Sequence, residues 1–246
     1  MGKEDKKGTL YLCGTPIGNR EDITLRALRI LKEVNLIAAE DTRKTRRLLN
    51  YYQIKTHLTS YHDYNQKKKG EQLLSLLKEG KDIALVSNSG MPVISDPGYD
   101  LVRLAIKEEI ALVPIPGPTA LITALIVSGL PSSPFIFSGF LPRKKVKRIK
   151  YLKELKENKE TIIFFESPHR LLSTLEDILA TLGDRRITVG RELTKKFEEI
   201  SRGEVSQVLR KFKENKPQGE FTLVLEGNAA QNPNVKPQIN TNHPNK

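Results

Sequence analysis

The sequence predicts an α/β protein of two domains, the first built on a mostly parallel sheet with flanking helices and the second on a mixed sheet. Two observations carry this. Short apolar runs rich in β-branched residues alternate with stretches of helical periodicity, the β-α-β-α order of a parallel sheet covered on both faces. The 246 residues also exceed one domain of average size, at roughly 100 to 200 residues each.

Taken in order, Thr9 to Cys13, Leu36 to Ala39, Ile83 to Ser87 and Ala111 to Ile115 read as buried strands. The amphipathic segments Ile23 to Glu33, Thr42 to Tyr52, Gln66 to Lys78 and Tyr99 to Glu108 lie between and after them as helices. Pro116 to Leu130 reads as a loop opening a short apolar helix that Gly129 and Pro131 end. The domains are therefore expected at 8–117 and 118–227. The second holds strand Phe135 to Gly139, basic helix Lys145 to Glu157, strand Thr161 to Glu166 and helix Pro168 to Leu182. Strands Arg186 to Arg191, Glu198 to Arg202 and Phe221 to Glu226 follow, with a helix over Ser206 to Lys213. The Pro168 helix has the clearest signature: Ser167 as N-cap, Leu171, Leu175, Ile178, Leu179 and Leu182 on one face, and Gly183 beyond its end. Residues 228–246 are rich in Asn and Pro, nearly free of large apolar side chains, and expected to be disordered.

Composition narrows the function. Lys and Arg number 41 against 29 Asp and Glu, a formal charge of +12 that calls for a polyanionic partner. Trp is absent and Phe and Tyr total 15, which argues against an extended aromatic platform for single-stranded RNA. A lone Cys13 forms no internal disulfide and no thiolate cluster. No apolar run approaches the roughly 20 residues of a membrane span, and the charged start lacks a secretory h-region. A cytoplasmic protein that binds no membrane is expected. Neither G-x-G-x-x-G nor a P-loop occurs, and His57, His62, His169 and His243 lack metal-ligand spacing, so no metal is expected.

Three Gly/Pro-rich loops each follow a predicted strand: GTPIGN (Gly14 to Asn19), SNSGMPVISDPG (Ser87 to Gly98) and PIPGPTA (Pro114 to Ala120). Singly each reads equally well as a tight βα turn. Together at one sheet edge they describe a pocket built mostly from backbone, which binds a ligand closely at little entropic cost. A second group is charged: Glu40-Asp41-Thr42-Arg43, Glu166-Ser167-Pro168-His169-Arg170 and Arg191-Glu192-Leu193-Thr194-Lys195. Helix capping explains the acids, but cations at a helix start oppose the dipole unless an anion is near. Third, six of the nine residues Pro142 to Lys150 are Lys or Arg, and Thr42 to Arg47 and Lys67 to Lys69 add further basic density. This is either a solvated face or a footprint for RNA phosphates.

The ordered motifs T-P-I-G-N, A-E-D-T-R, S-x-x-G-x-P-x-I-S-D-P-G, P-G-P-T-A, G-F-L-P-R-K, F-E-S-P-H-R-L and R-E-L-T-K, spread from Thr9 to Gly227, resemble the ribosomal small-subunit RNA 2′-O-methyltransferases of the tetrapyrrole methylase superfamily. The resemblance implies a tetrapyrrole-methylase-like fold with the active site in the cleft between its domains. It also implies S-adenosyl-L-methionine as methyl donor, a cytidine ribose in the decoding region of 16S rRNA (within the small ribosomal subunit) as acceptor, and a homodimer. Carried over by position, Pro16, Gly18, Ser87, Gly90, Pro92, Ile94, Ser95, Asp96, Pro116, Gly117, Thr119 and Ala120 would hold the donor. Lys195, Glu166 or His169 would take the hydroxyl proton, a role worth about 10² to 10⁴-fold. Arg43 and Arg170 would clamp phosphates, with Arg143, Lys144, Lys145, Lys147 and Arg148 as a basic track. Asn88, Ser89 and Met91 depart from the usual Asp, Ala and Thr, which removes any carboxylate role at position 88. A small-molecule methylase would share only the donor loops, and a ribosome-assembly factor would bind RNA without methylating it.

Overall fold

The computed structural model describes residues 6–228. The chain divides into two compact units, the first running to Thr123 and taking in Glu192–Glu198, the second holding Ala124–Arg191 and resuming at Glu199. The division falls after Thr123 rather than after Gly117, and the first unit recruits a segment from far along the chain.

The first unit is a five-stranded parallel sheet in the order β3-β2-β4-β1-β5, made of β1 (Thr9–Cys13), β2 (Leu36–Ala39), β3 (Leu58–Ser60), β4 (Ile83–Val86) and β5 (Ala111–Ile115). Alternate residues serve opposite faces. Cys13, Ile37, Ala39, Ala84, Val86 and Ile115 pack with α1 (Leu25–Glu33) and α2 (Thr42–Tyr51). Leu10, Ala38, Ile83 and Leu85 pack with α3 (Gln66–Lys78) and α4 (Tyr99–Lys107) on the other face. Burial on both sides explains why β4 is apolar throughout. Helix α1 starts two residues later than expected because Arg20–Asp22 forms a 3₁₀ turn and Thr24 Oγ1 caps the helix, accepting from Ala27 N at 3.1 Å. Strand β3, which periodicity did not reveal, is a three-residue edge paired to β2 from Leu58 to Ser60.

The second unit holds a mixed sheet in the order β6-β7-β10-β8-β9, from β6 (Phe135–Phe140), β7 (Thr161–Glu166), β8 (Arg186–Arg191), β9 (Glu199–Glu204) and β10 (Phe221–Leu225). Only β6 and β7 run parallel. Its core joins these strands to α6 (Lys145–Glu154), α7 (Leu171–Leu182) and α8 (Val205–Glu214), while α5 (Ala120–Ser128) leads in from the first unit. Helix α7 opens later than its signature implied. Ser167 does not cap with its side chain; its carbonyl accepts from both Arg170 N and Leu171 N at 3.1 Å, making Pro168–Arg170 a turn ahead of the helix. At the far end Asn228, counted with the tail, still donates to Asn158 O at 2.6 Å. The remainder of the expected disordered tail, 229–246, lies outside the described residues. No helix among the described residues is long and apolar enough to cross a membrane.

Candidate active site

In the first sheet β4, β1 and β5 are neighbours, so the loops leaving their carboxyl ends emerge side by side where the strand order reverses, the usual ligand edge of an open parallel sheet. These are the three Gly/Pro-rich loops, and their bases are bonded together. Thr15 and Gly90 exchange backbone hydrogen bonds at 2.9 and 3.0 Å, and Thr15 Oγ1 donates to Ser87 O at 3.2 Å. Ser87 Oγ donates to Gly90 O at 3.2 Å. Gly14 N donates to Ile115 O at 3.1 Å, and beyond it the first and third loops touch backbone to backbone: a Cβ on Gly14 would lie 2.7 Å from Gly117 Cα, and one on Gly117 2.8 Å from Gly14 Cα. The sequence assigned Gly117 to the donor individually and Gly14 only as part of its loop. The signal was the pairing of a glycine directly after β1 with one in the loop after β5.

The segment Glu192–Glu198 completes this group. Thr194 Oγ1 accepts from Asn19 N at 3.0 Å, and a Cβ on Gly18 would overlap Lys195 Cγ and come within 2.7 Å of Thr194 Oγ1. Lys195 Nζ lies 2.9 Å from Glu192 Oε1. Glu192 and Thr194 adopt φ of 48° and 66°, and Val93 and Ser95 in the second loop 76° and 61°. For β-branched Thr and Val this conformation costs on the order of 1–3 kcal/mol and persists only where surroundings dictate it. Among the described residues, four of the six non-glycine residues with positive φ lie in these two segments, so the strain concentrates in the segments that the sequence singled out.

The loop after β2 joins from the neighbouring strand. Asn88 Oδ1 accepts from Asp41 N at 3.1 Å, and Asn88 N donates to Glu40 Oε2 at 3.3 Å. The amide oxygen thus supplies an acceptor at position 88 without adding a third carboxylate beside Glu40 and Asp41. Asp41 also caps α2, accepting from Arg43 N at 2.9 Å, and the Arg43 guanidinium bonded to it holds its carboxyl below the usual range. Across the three Gly/Pro-rich loops Asp96 is the sole charged side chain, so the group is neutral to slightly acidic.

The second unit revises several expectations. Glu166 is not available as a proton acceptor: its side chain has no exposure, and its oxygens accept from Ser167 N at 2.8 Å and Thr174 Oγ1 at 2.6 Å. It holds the start of α7 instead. Arg170 lies 3.3 Å from Glu166 and donates to Leu141 O at 2.7 Å, so its guanidinium fastens the 141–142 backbone rather than reaching outward for a phosphate. Arg148, counted in the basic track, is 4% exposed and bonded to Asp177 at 2.6 Å, with Lys145 3.8 Å from the same carboxylate. Helical periodicity explains this: position 148 faces inward on α6, beside Leu152. Arg143, Lys144 and Lys147 are exposed, as is His169.

The sequence model of Tetrapyrrole (Corrin/Porphyrin) Methylases matches residues 9–209. The chain belongs to this family. Among the methylases it is 55% identical over 226 residues to the ribosomal RNA small subunit methyltransferase I of Halalkalibacterium halodurans, covering 92% of this chain and 78% of that one. It is 56% identical over 220 residues to the protein of the same name from Thermotoga maritima, covering 89% and 99%. Solved methylases share the fold at lower identity. A cobalt precorrin-4 methyltransferase of cobalamin biosynthesis superposes with a TM-score of 0.68 at 19% identity, covering 89% of this chain and 94% of that one.

Proposed function

We propose that this chain transfers the methyl group of S-adenosylmethionine to the 2′-hydroxyl of a cytidine in the decoding region of 16S rRNA. The observation that carries the reading is identity above half with relatives named ribosomal RNA small subunit methyltransferase I, over a span that includes both the donor loops and the charged segments. The loops fit such a donor. They are locked together by backbone, carry no cation, and include one acid, Asp96, a charge balance that suits a ligand with a sulfonium charge. Pro16, Gly18, Ser87, Gly90, Pro92, Ile94 to Asp96, Pro116, Gly117, Thr119 and Ala120 would hold it. When bound, the donor supplies an electrophilic methyl on a good leaving group.

What remains for the protein is positioning and proton transfer. A rigid cradle fixes the direction of approach, the largest contribution to an in-line displacement. Lys195 is the side chain best placed to act on the hydroxyl: it packs on Gly18 within the unit that carries the loops, and Glu192 beside it offers a carboxylate for the proton. The exposed Arg43, Arg143, Lys144, Lys147 and His169 remain for the RNA backbone. The reading makes the protein cytoplasmic, with the small subunit as substrate, and a homodimer that light scattering would detect.

The test is incubation of the purified protein with labelled S-adenosylmethionine and unmethylated small subunits, followed by nucleoside mass spectrometry. 2′-O-Methylcytidine is the expected product. Methylation of a porphyrinogen, or RNA binding with no methylated nucleoside, would replace the reading with one of its two competitors.

A further inference from the structure

Helix α2 presents a surface that the donor site does not use. Its inner side buries Thr45 and Leu49, whereas Arg43, Lys44, Arg46, Arg47, Asn50 and Tyr51 are all exposed. Four cations within five positions repel one another at i,i+3 and i,i+4 spacing, and the first two also oppose the helix dipole. Only Arg43 has a compensating carboxylate, Asp41 at 3.3 Å; among the described residues Lys44, Arg46 and Arg47 form no ion pair. The expected track on α6 differs, because Asp177 pairs with the buried Arg148 and lies 3.8 Å from Lys145.

The carboxyl end of α2 adds two features. A pocket of about 300 Å³ opens between Arg46, Asn50, Lys55, Thr56 and His57, floored by Leu49, Ile54 and Leu58. That is at the small end of ligand pockets, which run ~300–1,000 Å³, and combines an apolar floor with donors around the rim. At the same end of the helix Tyr51 is 55% exposed, with the Arg20 guanidinium 4.6 Å over its ring and the Tyr52 ring 4.9 Å away edge-on. Tyr52 OH donates to Arg20 O at 2.7 Å and so fixes the group. The shortage of aromatics excludes a long stacking platform. One exposed ring and one pocket at the same helix end suit a single unstacked base.

We propose that the outer face of α2, with Tyr51 and the pocket at its end, docks single-stranded RNA, its cations taking successive phosphates and one unstacked nucleotide entering the pocket. The inference rests on the RNA-directed reading above and adds where on this unit the RNA lies.

Fluorescence anisotropy with a short labelled single-stranded oligoribonucleotide of the decoding-region sequence tests it, across a salt series. Arg46→Ala/Arg47→Ala should reduce the slope of log affinity against log salt by about 1.4, since each phosphate contact on a single strand contributes ~0.7, and weaken binding roughly tenfold at physiological salt. Tyr51→Ala should weaken it by about 5- to 100-fold if a base stacks there, and Lys55→Glu should do so through the pocket alone. Arg46→Lys/Arg47→Lys retains charge and should retain the slope, and calorimetry with S-adenosylmethionine should show donor affinity unchanged throughout, which separates lost docking from lost folding. Full RNA affinity and an unaltered slope in the alanine and glutamate variants, while the wild type methylates small subunits, overturns this surface and leaves the enzymatic reading standing. Wild-type protein that neither binds nor methylates the RNA overturns both.

Discussion

The contact between Gly14 and Gly117 gives the sharpest handle on the proposed donor loops. In Gly14→Ala the new methyl would sit 2.7 Å from Gly117 Cα, 2.9 Å from Gly117 N and 2.7 Å from Met91 Sδ, where ordinary contact begins at 3.4 Å. Met91 can swing aside. The Gly117 backbone cannot, because Ile115 just before it is held in β5 and bonded to Gly14 N. The loops must therefore separate by roughly 0.7 Å, a strain of the overpacking kind, which costs about 1–3 kcal/mol. If that strain is relieved by opening the loops, the competent form becomes the minority state and apparent donor affinity falls in proportion, by about 5- to 150-fold. Gly117→Ala, approaching the same contact from the other side, should behave alike. Isothermal calorimetry with S-adenosylmethionine measures the affinity and urea denaturation the stability. Gly129→Ala is the control: its φ is 74° but nothing lies within 4 Å, so it should cost roughly 1 kcal/mol of stability and no donor affinity. Twofold or smaller changes in affinity for both loop variants, with unshifted denaturation midpoints, would refute the facing-glycine argument.

Asp177→Ala strands the buried Arg148 charge and should cost about 3–5 kcal/mol in urea denaturation, while Arg148→Met/Asp177→Leu should recover most of it. Burial pushes the Cys13 thiol up to about 12 from 9.0, so it stays neutral and should resist maleimide in the native protein at pH 8 but react once unfolded. Because the folded state keeps the proton longer, this group's contribution to stability is full below pH 9 and declines as pH rises toward 12. Lys195→Met should lower kcat by about 10² to 10⁴-fold with donor affinity retained, whereas Glu166→Gln should show its main effect on thermal stability, since Glu166 anchors α7.

Strands buried on two faces were legible because their apolar runs are continuous, and the site loops were legible because Gly and Pro are rare enough to stand out. β3 escaped because three residues at a sheet edge carry no period. Helix starts shifted where a turn intervened, at Arg20–Asp22 and at Pro168–Arg170, since a capping residue and a turn residue look alike in sequence. The charged side chains were the hardest to place. Arg148 and Arg143 belong to one basic run, yet one is buried on Asp177 and the other faces solvent, and only the phase of α6 and a carboxylate 29 positions away separate them. Glu166 looked like chemistry because it sits among cations. Thr174, one turn into the following helix, decides otherwise.

That Glu192–Glu198 belongs to the first unit, although the chain has by then built most of the second, has a consequence for synthesis. On the ribosome the first unit emerges through Thr123 with its sheet complete, but the strand-free segment that binds Asn19 and packs on Gly18 follows only some 75 residues later. At about 5–20 residues per second that is on the order of 4 to 15 s of translation. Throughout that interval the nascent sheet carries the GTPIGN loop without its cover, and a fragment ending near Thr123 would stay so. Maturation of the proposed methyl-transfer site is thereby timed to the second half of the message.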